Sequence, residues 1–283
     1  MTTIVTALMY SGKEDPSWEI TDQETQQLKE ILNQKREVTN EMSALSAGLL
    51  GYRGFVIESY DSTLPTKAFF FDGIIDLIDQ KNLNFIDQDS TVEAFLLETG
   101  SSILTSNEKA FISSEIVKNV RGGAASINKS LKGSFDLLTV PPYDAGKWNI
   151  PGVQPRNNCY NYANDKITNT FAQPGRGSGA MAANLTCGEV GSASQRDGQI
   201  TVISAVDTPK QGHYIALVVA PNFDYHWYRL DSNGMWSHKP GQTAAKNTDN
   251  SGKLISDPMN CNRGPYTDFC GFFHCIPLKT TIR

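Results

Sequence analysis

The fold is decided by the stretch Gly212-His213-Tyr214-Ile215-Ala216-Leu217-Val218-Val219, an almost continuous apolar run of strand length. Such a run is typical of a strand in the middle of a sheet, covered on both faces. Tyr225-His226-Trp227-Tyr228-Arg229-Leu230 predicts the next strand, and Asp231 stands at its end. His213 therefore lies at the rim of a central strand, with a carboxylate at the end of the following strand.

Upstream of these strands, Asn157-Asn158-Cys159-Tyr160-Asn161-Tyr162-Ala163 predicts the start of a helix. Asn158 is a favourable N-cap, which places Cys159 at the first helical position. The unpaired amides and positive end of a helix can lower a thiol pKa from its usual ~8.5, and they can also bind an oxyanion. The alternative is a buried structural cysteine, the commonest role of an unpaired cysteine.

Cys159, His213 and Asp231 together have the chemistry of a thiol-based acyl-transfer site. The thiol would be the nucleophile, the imidazole would be the general base, and the carboxylate would orient the imidazole. Two alternatives stay open. His213 can simply cap its strand, and Asp231 begins Asp-Ser-Asn-Gly, which is also a turn sequence.

The segment Trp227–Trp236 resembles papain-like cysteine peptidases, in which the orienting residue ends a strand and is followed by Ser, a turn glycine and Trp. The order Cys159, His213, Asp231 is similar to that superfamily, and the short Cys–His interval is closest to its compact NlpC-type amidases. The resemblance covers residues 150–283. Departures include Tyr160 where a Trp is usual, and Val153 where the oxyanion glutamine is usual.

The resemblance implies a papain-like domain in which a nucleophile helix packs on an antiparallel sheet. It makes Gln154, Asn157 and Asn158 candidate oxyanion donors, and Trp227 and Trp236 candidate substrate contacts. It also implies a cysteine-dependent peptidase or amidase that acts on a peptide or amide substrate without a metal or cofactor. The alternatives are a thiol acyltransferase or deamidase, and a non-enzymatic binding protein or toxin component with a vestigial site.

The first half of the chain predicts a separate α+β module. Thr21 and Glu24 form a capping box before a helix, and strands are predicted at 4–9, 52–57 and 67–71. Further helices are predicted at 91–97 and 108–120. Strands and helices mix without strict alternation, which indicates an α+β class.

The predicted organisation has three parts: an accessory module at 1–138, a Pro/Gly-rich connection at 139–156 and a catalytic domain at 157–283. The first module carries no visible chemistry. We expect it to recognise a protein partner or to cover a cleft.

Composition excludes some classes of function. The net charge of −5 and the absence of a Lys/Arg cluster argue against a nucleic-acid binder. No stretch is apolar enough to span a membrane. The start of the sequence lacks the pattern of a secretory signal, so a cytoplasmic protein is expected, with export by a non-classical route left open.

The five cysteines are too few for a disulfide scaffold, and their odd number leaves at least one unpaired. Cys159 is the best candidate for the unpaired thiol. Zinc binding by Cys261, Cys270, His274 and Cys275 is disfavoured because the group lacks a Cys-x-x-Cys pair. Packing of a last strand is expected instead, and any disulfide among the other four cysteines is left open.

Overall fold

The computed structural model describes residues 2–38, 48–78, 84–119, 140–206 and 209–283. These residues fall into two compact units of mixed helices and antiparallel sheets, which confirms the α+β class. The first unit comprises 2–9, 15–38, 52–78 and 84–119, and the second comprises 10–14, 48–51, 140–206 and 209–283. The predicted module boundary at residue 138 lies outside the described residues.

Within the described residues, the first unit has a seven-stranded antiparallel sheet and three helices. The strands are β1 Thr3–Ala7, β2 Ser17–Ile20, β3 Arg36–Val38, β4 Phe55–Ser59, β5 Lys67–Phe71, β6 Ile74–Leu77 and β7 Asn84–Ile86. Their order is β2-β1-β4-β5-β6-β7-β3. The helices are α1 Asp22–Leu32, α2 Thr91–Thr99 and α3 Ser106–Asn119.

Local sequence signals of the first unit agree with the structure in two places. The capping box is present, because Thr21 accepts from the Glu24 amide at 3.2 Å and Glu24 accepts from the Thr21 amide at 2.8 Å. Strand β5 has the predicted bounds. Strand β4 begins later than predicted, after Gly54, which has a φ of +104° that an extended strand does not use.

The second unit contains a five-stranded antiparallel sheet among its described residues. The strands are β8 Ile200–Val202, β9 His213–Ala220, β10 Asp224–Leu230, β11 Trp236–His238 and β12 Asp268–Cys275, in the order β11-β10-β9-β12-β8. The helices are α4 Ala145–Trp148, α5 Cys159–Ala163 and α6 Cys187–Arg196. Strand β9 is central, as its apolar run predicts.

Strand β9 separates two apolar clusters because its side chains alternate between the faces of the sheet. Ile215, Leu217 and Val219 pack with Cys159 and Tyr160 on one face. Ala216, Val218 and Ala220 pack on the other face in a second cluster. The short helix α5 is therefore embedded in the core of the second unit, which determines the surroundings of Cys159.

Candidate functional site

Helix α5 begins where the sequence predicts. The Asn158 Oδ1 accepts from the amides of Tyr160 at 3.0 Å and Asn161 at 3.1 Å. The Asn161 side chain accepts from the Asn158 amide at 3.2 Å, which completes a reciprocal cap. Cys159 is thus the first helical residue, but it is also completely buried.

The environment of Cys159 corrects the expectation of a lowered thiol pKa. Burial raises the pKa of Cys159 far above its usual value, and the nearby carboxylate of Asp224 raises it further. A hydrogen bond to the Trp227 backbone and the Lys239 charge act in the opposite direction but are the smaller effects. The thiol is therefore protonated at neutral pH, which is the property of a structural cysteine rather than of a nucleophile.

His213 lies at the other end of α5. Its Nε2 donates to the carbonyl of Ala163, the last residue of the helix, at 2.6 Å. The Nδ1 atom is buried and accepts no hydrogen bond from any residue that the structure describes. Burial lowers the pKa of His213 to about 4, so the ring is neutral and carries its proton on Nε2. His213 satisfies a helix-end carbonyl, which is a structural role.

Asp231 is bound to an arginine. Its Oδ1 accepts from the Arg229 Nε at 2.9 Å, and both side chains are about 1% exposed. The same guanidinium contacts the Asp165 carboxylate at 3.1 Å, donates to the Pro142 carbonyl at 3.0 Å, and lies 4.2 Å over the Tyr162 ring. Burial raises the pKa of Asp231, although Arg229 opposes this shift.

The three predicted catalytic residues are not joined to each other. Among the described residues, no hydrogen bond connects Cys159, His213 and Asp231; the partners are Trp227, Ala163 and Arg229 respectively. Cys159 and His213 lie at opposite ends of α5, and a helix of this length separates its ends by about 6 Å. The catalytic roles stay predictions, and the observed contacts favour structural roles.

The predicted oxyanion donors also have structural partners. The Asn158 Nδ2 donates to the carbonyls of Gly12 at 2.9 Å and Ala172 at 2.8 Å. The Asn157 Nδ2 donates to the Val153 carbonyl and to the Asn169 side chain, both at 2.8 Å. These amide groups are occupied, so neither is available to a bound substrate. Gln154 lies in a single 3₁₀ turn and is half-buried.

The predicted substrate contacts, Trp227 and Trp236, are buried in the sheet. Trp227 is fully buried, with its ring 5.5 Å from that of Tyr160 and 5.2 Å from that of Phe273. Trp236 is 5% exposed and stacks near Phe272 at 5.6 Å. Trp236 is the first residue of β11, so it lies in the sheet rather than in an exposed turn.

Sequence reasoning missed the buried polar residues around α5. The Lys239 ammonium donates to the carbonyls of Gln154 and Gly241, each at 2.6 Å, and also to that of Asn157. The Asp224 carboxylate accepts from the Ser11 amide at 2.6 Å and from the Tyr266 hydroxyl. Buried ions need such partners because desolvation is costly. The one sequence signal for these two residues is that each charged side chain stands in or next to a predicted strand or turn of the core.

A surface cavity of about 410 Å³ lies in the first unit, between α2 and α3. None of the predicted site residues lines it. Its walls are Asp89, Ser90, Ala94, Leu97, Glu98, Ser113, Ile116 and Val117. Within the described ranges, no three His, Cys, Asp or Glu side chains lie close enough together to hold a metal, and no helix is long and apolar enough to cross a membrane.

The cysteines divide into one pair and three free thiols. Cys187 and Cys270 form a disulfide that joins α6 to β12 across 83 residues of sequence. Cys159 and Cys275 are free and buried, and Cys261 is free and half-buried. Of the four cysteines whose pairing the sequence left open, Cys187 and Cys270 are therefore paired, and Cys261 and Cys275 are free.

Burial of His213 makes the protein sensitive to acid. The pKa of His213 is about 4 in the folded protein and ~6.5 when unfolded, so the unfolded chain binds the proton more tightly. The contribution of neutral His213 to the free energy of unfolding is fully present above about pH 6.5. It decreases as the pH falls toward 4, by up to ~1.4 kcal/mol per pH unit. We expect His213→Gln to reduce this slope when urea unfolding is measured at pH 7, 6, 5 and 4.5.

His274 provides the control for this measurement. It also bonds a carbonyl, that of Gln211 at 2.6 Å, but its side chain is partly exposed. His274→Gln should keep the slope of the unchanged protein. Equal slopes for the unchanged protein and His213→Gln would contradict the assignment of His213 as a buried neutral histidine.

Comparisons with known proteins find one informative relative. No protein-family model matches the chain, and no solved structure matches it. The chain is 57% identical over 130 residues to Insoluble matrix shell protein 1 of Ruditapes philippinarum. The match covers 46% of this chain and 86% of that protein. At this identity and coverage, the chain belongs to the family of Insoluble matrix shell protein 1.

Proposed function

We propose that this protein is a secreted, non-enzymatic structural component of an insoluble shell matrix. The observation that carries the proposal is the 57% identity to a shell matrix protein over 86% of that protein's length. Identity at this level supports a shared role for the matched 130 residues, which are 46% of this chain. We extend the same structural role to the rest of the chain, which the match does not cover.

Two predictions from the sequence are corrected by this relationship. The cytoplasmic localisation is wrong, because a shell matrix is laid down outside cells. The description as a thiol protease, hydrolase or toxin is also contradicted, because a matrix protein of a shell points to a structural role. The non-enzymatic alternative that the sequence left open is the one we adopt.

The disulfide supports an extracellular location. Disulfides persist in oxidising compartments and are rare in the reducing cytosol. The Cys187–Cys270 bond links a helix to a strand in the core of the second unit, where both cysteines pack against the cluster around Cys159. A structural protein outside the cell benefits from such a cross-link because no cellular machinery refolds it.

The contacts of the predicted catalytic residues support the same proposal. A nucleophile must be ionisable and reachable, and Cys159 is fully buried with a raised pKa. A general base must lie within hydrogen-bond reach of the nucleophile, but among the described residues no hydrogen bond joins His213 to Cys159, and the ring is held by the Ala163 carbonyl instead. Within this proposal, the papain-like order of Cys159, His213 and Asp231 is a vestige or a coincidence, and the three side chains serve the fold.

The proposal is tested by locating the protein in the organism that makes it. The shell is demineralised, the residue is washed with denaturant, and peptides of this chain are quantified by mass spectrometry there and in the cytosol of the secreting tissue. We expect the peptides to be enriched in the washed residue, with an abundant cytosolic enzyme as the control that is not. Peptides confined to the cytosol would contradict the proposal.

A further inference from the structure

The outer edge of β8 is an open sheet edge in the second unit. Strand β8 is the last strand of the sheet, and among the described residues only β12 pairs with it. The backbone groups on its other side are therefore available to a further strand. Gln195 holds β8 in place by donating to the Thr201 hydroxyl at 2.8 Å, so this edge is already ordered.

Strand β8 and the four residues that follow it, 203–206, form an apolar and uncharged segment. Residues 200–206 read Ile-Thr-Val-Ile-Ser-Ala-Val, with no charged residue and no proline. Three of its large apolar side chains are exposed: Ile200 at 54%, Ile203 at 104% and Val206 at 86%. A short β-branched segment of this kind, with no charge, has the composition that associates edge to edge.

The other described sheet edges are protected. Strand β11, at the opposite end of the same sheet, is covered by bridges from Trp236 to Ile255 and from His238 to Lys246. In the first unit, edge strand β2 carries Glu19, and edge strand β3 carries Arg36 and Glu37. Charges and covering segments are the usual means of preventing edge association. Strand β8 lacks both.

We propose that residues 200–206 form a self-association site that pairs with the same segment of a second copy of this chain. The chain carries a net charge of −5, so two copies repel each other on average. Residues 199–206 carry no charge, so two copies can approach there without that repulsion. Residues 200–206 of the second copy also have the same length and hydrophobicity as the segment they would pair with.

The association would be antiparallel and two-fold symmetric. A two-fold axis places the same patch of each copy against the other, and antiparallel pairing of β8 with β8 satisfies that symmetry. It joins the two five-stranded sheets into one continuous sheet. Residues 203–206, which follow β8 in the chain, extend the paired strand in this arrangement, so that Ile203 and Val206 lie in the interface. The inference goes beyond the proposed matrix role and does not depend on it.

The test is the oligomeric state of the full chain with its disulfide intact. Sedimentation velocity over roughly 1–100 µM should show either that all of the protein is dimeric or that the dimeric fraction rises with protein concentration. Ile203→Lys places two like charges at the paired edge, and we expect it to weaken dimerisation at least about tenfold. Because Ile203 is fully exposed, the substitution should leave the circular dichroism spectrum and Tm unchanged.

Ile103→Lys is the matched control. Ile103 is an exposed isoleucine, 53% accessible, and belongs to the first unit, whereas β8 belongs to the second. This variant should dimerise like the unchanged protein. A monomer at every concentration would overturn the proposal, because no second copy then occupies the edge. Equal dimerisation of the unchanged protein and Ile203→Lys, or equal weakening by both lysine variants, would also overturn it.

Discussion

Arg229→Met is expected to destabilise the second unit by about 3–5 kcal/mol. Arg229 is 1% exposed and is the partner of the buried Asp231 carboxylate at 2.9 Å. Removing the guanidinium leaves that carboxylate buried without its counter-ion, and it also removes the bonds to Asp165 and Pro142. Urea unfolding followed by tryptophan fluorescence measures the effect, since Trp148, Trp227 and Trp236 lie in this unit.

Lys147→Met is the matched control, because Lys147 contacts the same Asp165 carboxylate at 2.9 Å. The Lys147 side chain is 41% exposed, so water replaces the lost contact, and we expect a change of about 0–1 kcal/mol. Similar effects of the two methionine substitutions would contradict the view that Arg229 organises a buried polar network.

Cys187→Ala/Cys270→Ala is expected to lower the unfolding free energy by about 2–5 kcal/mol. The disulfide joins cysteines that are 83 residues apart, and the conformational entropy that such a cross-link removes from the unfolded chain rises with the length of the loop. Both cysteines also pack on the core cluster around Cys159, so their loss removes apolar contacts. Urea unfolding of the double variant and of the unchanged oxidised protein gives the difference.

Cys261→Ala tests whether the effect belongs to the cross-link. Cys261 is free and half-buried, and we expect its replacement to cost about 1 kcal/mol or less. Reduction of the unchanged protein should reproduce most of the loss seen in the double variant. A double variant as stable as the unchanged protein would mean that the cysteines are not paired in the folded chain.

The parts of the second unit that the sequence predicted depend on local signals. Asn158 caps α5 because its side chain reaches amides two and three residues ahead. Strand β9 is central because its side chains are apolar on both faces. The capping box at Thr21 is local in the same way. Such patterns are complete within a few residues and can be read without the fold.

The environment of the candidate site could not be predicted, because it depends on distant parts of the chain. The helix start alone implies a lowered thiol pKa, but burial against β10 reverses the direction for Cys159. The acceptor of His213 is the carbonyl of Ala163, which only the folded packing of α5 against the sheet brings near. Arg229 near the end of β10 binds Asp231, the first residue after that strand, and this contact depends on how the chain leaves the sheet.

Neither the disulfide pairing nor the localisation could be predicted from short sequence patterns. Five cysteines allow many pairings, and spacing does not choose among them. The partner of Cys187 is fixed by α6 packing on β12, and β12 itself carries a Gly271 irregularity that a strand pattern does not reveal. The proposed extracellular role rests on the relative and on the disulfide, and neither can be read from a short sequence pattern.

The most direct test of a non-enzymatic second unit is the reactivity of Cys159 in the native protein. Iodoacetamide labelling at pH 7.5, with each cysteine followed by peptide mass spectrometry, compares Cys159 with the half-buried Cys261 in the same molecule. We predict that Cys261 is labelled at least about 100-fold faster, because Cys159 is reached only when the core opens. Labelling of Cys159 faster than Cys261, lost in His213→Ala, would contradict the account and identify an activated nucleophile.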